Sequence, residues 1–104
     1  MLKYGAIVNA IDEEGNTALM YAAESGLYQI ATLLIINGAN VDIMNNANEC
    51  ALMFACRNNH YPIIELLLKY NANTCLINNN GENTLLMAIG IFLFILFYFL
   101  FNNK

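Results

Sequence analysis

Residues 12–44, DEEGNTALMYAAESGLYQIATLLIINGANVDIM, are followed without a gap by residues 45–77, NNANECALMFACRNNHYPIIELLLKYNANTCLI. At an offset of 33 the two stretches share ten residues, among them Ala18/Ala51, Leu19/Leu52, Met20/Met53, Ala22/Ala55, Ile30/Ile63, Leu33/Leu66 and Leu34/Leu67. These identities are apolar and recur at helical spacing, as expected of two short helices turned toward a shared core. The offset continues both ways. Gly5-Ala6 falls on Gly38-Ala39 and on Asn71-Ala72, while Gly81, Leu85 and Ala88 fall on Gly15, Leu19 and Ala22. A fixed period of this length marks a stack of supersecondary units.

Local signals agree on a helix–turn–helix–loop unit, and hence an all-α chain. Thr17 and Asn83 are suitable caps for a first helix. The small residues Ala22, Ala23 and Ala55 permit close helix approach. Gly26 and Asn59 stand where the chain turns between helices, and both tolerate positive φ. Pro62 falls near the start of a second helix, where its missing N–H costs little. Gly38 and Asn71 stand where that helix ends.

The stretches GNTALMYAAESG, ATLLIINGANVD and ALMFACRNNHYPIIELLLKYNAN resemble the ankyrin repeat, and the resemblance covers residues 1–88. Two departures stand out. Ala18 and Ala51 replace the family's proline, and Met20 and Met53 replace its repeat-bridging histidine. Residues 1–11 read as the end of a truncated repeat, 12–44 and 45–77 as complete repeats, and 78–88 as the start of a third. The resemblance implies an ankyrin-like helical solenoid whose hairpin loops and exposed first-helix sides line a concave, partner-binding face. Carried over, that face holds Glu13, Glu14, Asn16, Glu24 and Ser25 from the first complete unit. The second supplies Asn46, Ala47, Glu49, Arg57 and Asn58, and the third supplies Asn79, Asn80 and Glu82. Five of the chain's eight acids and one of its four bases lie there. Complementary fields steer encounter, so the expected partner is a protein with a basic patch.

Composition removes other function classes. The net charge is −4 with no Lys/Arg cluster, which argues against nucleic acid. Three unevenly spaced cysteines make a disulfide framework improbable and suit a reducing compartment. MLKYGAIVNA has no apolar core of signal-peptide length, so the expected location is cytoplasmic. The single serine, Ser25, has no histidine in its own repeat to activate it. Cys50, Cys56, His60 and Cys75 match no zinc spacing, and structural roles explain Cys56 and His60 better. No phosphate loop or paired-carboxylate arrangement is present. The expectation is a non-catalytic chain with no cofactor and no metal.

The ends are unlike the middle. MLKYGA aligns with LIINGA and LLKYNA, so the chain begins on the last turn of a second helix. It is expected to be a piece of a longer array. The close, GIFLFILFYFLFNNK (90–104), holds five of the six phenylalanines. Phe92 occupies the turn position of Gly26 and Asn59, where phenylalanine at positive φ would be an outlier. One continuous helix from Thr84 to Phe101 is therefore expected. Residues 85–101 carry no charge and would extend about 26 Å at ~1.5 Å per residue, against a hydrocarbon core of ~30 Å. Three readings stay open for this run. It can anchor the repeats to a membrane as a tethered adaptor. It can pack as third-repeat helices through Leu96, Phe99 and Leu100, on the positions of Ile30, Leu33 and Leu34. Or it can be a degenerate coding end, making the chain a non-functional fragment.

Overall fold

The computed structural model describes residues 7–74 and 76–102, with every side chain of the last helix except those of Leu86, Phe94 and Ile95. The expectations placed on Gly5-Ala6 and on Cys75 lie outside the described residues. Five helices follow one another: α1 (Ala18–Ser25), α2 (Tyr28–Ile36), α3 (Ala51–Arg57), α4 (Tyr61–Lys69) and α5 (Thr84–Asn102). Among the described residues there is no strand, only an isolated antiparallel bridge between Ile77 and Asn83.

Helix α1 starts where an extended Thr17 turns its hydroxyl to accept the Met20 N–H at 3.3 Å. The Thr17 N–H in turn points at Met20 Sδ, 3.4 Å away. The methionine that departs from the family pattern thus joins the cap and is also fully buried, as is Met53 one unit on. Pro62 opens α4. The turn and end residues adopt the left-handed backbone expected of them: φ is 73° at Gly26 and 59° at Asn59, then 96° at Gly38 and 62° at Asn71.

Packing follows the repeat. Helix α1 lies against α2 and α3, α3 against α4 and α5, and α2 against α4. Leu19, Met20, Leu52, Met53, Ile63 and Leu67 form the largest part of the core, with Ala22, Ala23 and Ala55 buried between helices. Two expected core positions are corrected. Ile63 and Leu66 are 1% and 6% exposed, but their equivalents Ile30 and Leu33 are 50% and 55% exposed. The cause is the neighbour: α2 stands ahead of α4, whereas among the described residues no helix stands ahead of α2.

Helix α5 is single and continuous, as Phe92 in the turn position requires. Its first turns belong to the stack, with Ala88 buried and Met87 and Ile91 packed on the core. Leu96, Phe99 and Leu100 do not take the core positions suggested by the alignment; all three are more than half exposed. An unbroken helix carries them past α3 instead of folding back beside α4. Among the described residues no helix is long and apolar enough to cross a membrane. The part of α5 beyond Ile91, residues 92–102, is 11 residues long, about 16 Å against a hydrocarbon core of ~30 Å.

Candidate partner-binding cleft on the hairpin-loop face

The loop ahead of each first helix is built around one short side chain. Asp12 Oδ1 accepts the N–H groups of Glu14 and Asn16, both at 2.9 Å. Asn45 Oδ1 accepts those of Ala47 (2.9 Å) and Glu49 (2.8 Å). Asn78 Oδ1 accepts those of Asn80 and Glu82, both at 2.9 Å. These are Asx turns at one repeat position, closed by a side-chain acceptor in place of a backbone one. At each tip the backbone is left-handed, which Asn48 achieves at φ 59° between Gly15 and Gly81. The loops are also tied to each other: Asn46 N–H donates to the Glu14 carbonyl at 3.0 Å, and Asn79 N–H to that of Ala47 at 3.1 Å.

Between the first two loops and helices α1 and α3 lies a cleft of about 420 Å³. Six of the residues expected on the partner face line it: Glu14, Asn16, Glu24, Asn46, Ala47 and Glu49. So do Met20, Tyr21, Asn45 and Phe54, which were not anticipated. Tyr21 and Phe54 are one repeat apart, so an aromatic recurring beside the exposed face of the first helix was the signal available for them. The Tyr21 hydroxyl donates to the Asp12 carboxylate, and Asn16 Nδ2 approaches the same hydroxyl oxygen at 3.5 Å. The Tyr21 hydrogen bond, then the Asn16 N–H, hold the Asp12 carboxyl below its ordinary value. The same bond raises Tyr21.

One unit further on, the exposed Arg57 is held by partners within the chain. Its Nη2 is 2.9 Å from Glu49 Oε2 and 3.2 Å from Glu82 Oε1, and its guanidinium carbon is 5.7 Å from the centre of the Phe54 ring. Glu82 also accepts from Asn78 Nδ2 at 2.7 Å. That bond first, and Arg57 second, keep its carboxyl below the ordinary value. The remaining expected face residues lie outside the cleft. Glu13 offers its carbonyl to Asn46 Nδ2 at 3.1 Å, and Asn58 Nδ2 donates to the Phe54 carbonyl at 2.9 Å. Asn79 Oδ1 accepts from Asn48 Nδ2 at 2.8 Å, while Ser25 and Asn80 are exposed.

His60 Nε2 lies 3.0 Å from the Glu24 carbonyl oxygen, joining the two units. Cys50 and Cys56 are buried. Burial raises both thiols, Cys56 to about 11, and the thiolate is the reactive form of cysteine.

The chain matches the family described as Ankyrin repeats (3 copies), over residues 1–45 and 28–97. It is also similar to an Acyl-CoA-binding domain-containing protein 6 homolog from Dictyostelium discoideum, with 54% identity over 35 residues. That stretch is 34% of this chain and 12% of the relative's length.

Proposed function

The chain belongs to the ankyrin-repeat family, and from that premise we propose that it is a protein-interaction module that takes a basic segment of a partner on its hairpin-loop face. Ankyrin repeats are generally protein-binding and typically non-catalytic. The observation carrying the proposal is the cleft, with Glu14, Glu24 and Glu49 on its wall and an aromatic ring from each unit beside them. Loops tied by Asx turns and by bonds from unit to unit hold the surface ready, so little ordering cost falls on association.

The acyl-CoA in the relative's name is not proposed for this chain. Phosphates would meet three carboxylates in the cleft and none of the basic or helix-terminal groups that bind such anions. A membrane-spanning use of α5 is likewise not proposed, because only about 16 Å of it is free of the stack.

The test is selection of binders from a random-peptide library on the full chain held in neutral detergent. Selected peptides should be basic, and their association should slow as salt shortens the Debye length below ~10 Å. Glu13→Lys with Glu14→Lys should slow association, while Glu65→Lys, on α4 away from the cleft, should not. Equal effects from the two variants, or no peptide dependent on the loops, would remove the proposal.

A further inference from the structure

We propose that α5 pairs with α5 of a second copy of this chain, the two helices antiparallel and meeting along Leu85, Ile89, Phe92, Leu96 and Phe99. None of these residues lines the hairpin-loop cleft, so the pairing is independent of the partner-binding reading above.

The five residues recur at intervals of four, three, four and three, the spacing of a seam along which two helices pack. They stand beside, not on, the face that carries Ala88 and Ile91 to the core, and all are 42–57% exposed. The seam begins where the stack's own interface stops. Leu85 and Ile89 fall on Leu52 and Cys56, and on Leu19 and Ala23, none of which is more than 5% exposed. Helix α1 is covered by α2 and α3, and α3 by α4 and α5, but among the described residues no helix follows α5 in the stack. The same stripe then runs on through Phe92, Leu96 and Phe99.

Length and charge choose the occupant. From Leu85 to Phe99 the seam rises about 21 Å, at ~1.5 Å per residue. The other described helices have at most 9 residues, about 14 Å. A further short repeat helix would leave the distal turns bare, whereas the 19 residues of α5 match their own length. Residues 85–101 carry no charge, so a second α5 sets no charged group against the apolar seam. Five half-exposed side chains in each copy, at ~200 Å² each, give about 1,000 Å² over the pair, the lower bound for a specific interface.

Orientation follows from the stacks. Every charged residue except Lys104 precedes α5 and the chain carries −4, so a parallel pair would set two like-charged stacks side by side. Antiparallel helices crossing at Phe92 hold the stacks apart. They place Ile89 against Leu96 of the second copy and cover Leu85 with its Phe99. One two-fold axis makes both contacts at once and closes the assembly.

In neutral, density-matched detergent the full chain should sediment as a dimer at about 100 µM and as a monomer at about 1 µM, as suits an interface of that size. Ile89→Glu and Leu96→Lys should each weaken the dimer more than about tenfold, because each sets a charge against an apolar side chain at both contacts. Mixed, the two variants should pair within about threefold of the parent, since one Glu–Lys and one Leu–Ile contact replace the mismatches. Phe97→Glu, off the seam where Phe97 packs on Phe101 with ring centroids 4.5 Å apart, should change association by less than about twofold. A parent that is monomeric at the higher concentration, single variants as dimeric as the parent, or Phe97→Glu as damaging as Leu96→Lys overturns the inference. So does a mixture no stronger than its components, because Ile89 and Leu96 then do not meet. A chain that stays monomeric yet floats with phosphatidylcholine vesicles also overturns it and assigns the stripe to lipid.

Discussion

The His60 ring lies against Gly26 of the preceding unit, so closely that a Cβ at Gly26 would stand 2.6 Å from His60 Cε1. Its Nε2 is also 3.0 Å from the carbonyl of Glu24. The turn of one repeat is thus the seat for the turn histidine of the next. Gly26→Ala meets two costs together, a left-handed backbone at φ 73° and displacement of the ring. It should destabilise the fold by about 2–3 kcal/mol in urea unfolding. His60→Ala combined with it should recover part of that loss, because the backbone cost then remains alone. Strict additivity of the two substitutions would mean the ring contact contributes nothing.

Leu33 and Leu66 are the same residue at the same repeat position, yet 55% and 6% exposed. Leu66→Ala should cost about 2–4 kcal/mol, as for a buried leucine that leaves a cavity. Leu33→Ala should cost less than about 1 kcal/mol. Equal costs, measured from urea midpoints of the two variants, would show that α2 is covered in solution.

The same pair shows what the sequence could and could not disclose. Period, caps and left-handed turns were legible, because each depends on residues close along the chain. The exposure of Leu33 was not, because alignment compares positions and says nothing of which helix stands beside them. The cleft was half legible for a related reason. Its carboxylates were expected from the resemblance, but nothing in the repeat pattern sets Tyr21 and Phe54 apart from the other residues of the first helix. The Asx turns at Asp12, Asn45 and Asn78 were not legible, because residue type alone does not show that an Oδ1 acceptor turns back onto the backbone N–H groups two and four residues on.

The buried thiols give a prediction on the alkaline side. Cys56 is raised to about 11 and Cys50 is raised as well, in both cases by burial first. Protonated thiols are therefore favoured in the folded state. Their stabilisation is fully present below the ordinary thiol range and declines as pH rises from about 9 toward 11. At pH 8, iodoacetamide followed by peptide mass spectrometry should find both unmodified in the native chain and both modified in urea. Rapid native labelling of Cys56 would contradict its burial.

On the acid side the sign reverses. Glu82 is lowered from its ordinary 4.5 by Asn78 first and Arg57 second. Its contribution is present above that value and disappears as pH falls through the lower folded one. Urea midpoints should hold steady from pH 7 to about 5 and then decline. Arg57→Met leaves the Asn78 bond and removes the cation, so the folded value moves back toward the ordinary one and the decline should become smaller, with its onset unchanged. A decline of undiminished size in Arg57→Met would mean that the ion pair at 3.2 Å is not maintained in solution.

Helix α5 divides at Ile91 into a packed part and a free part, and each half has its own expected outcome. Ala88 is buried against the core, so Ala88→Glu forces an unpaired charge into an apolar contact. It should cost about 2 kcal/mol or more and loosen α5 from α3. Ending the chain after Ile91 removes only exposed or undescribed side chains. The truncated chain should lose the ellipticity of 11 residues while its urea midpoint stays within about 0.5 kcal/mol of the parent. It should also remain monodisperse without detergent, because the exposed apolar side chains of Phe92, Leu93, Leu96, Phe97, Phe99 and Phe101 are gone. A midpoint lowered by much more than that would show that the distal turns fold back on the stack. In that case the exposure of Leu96, Phe99 and Leu100 would not describe the chain in solution.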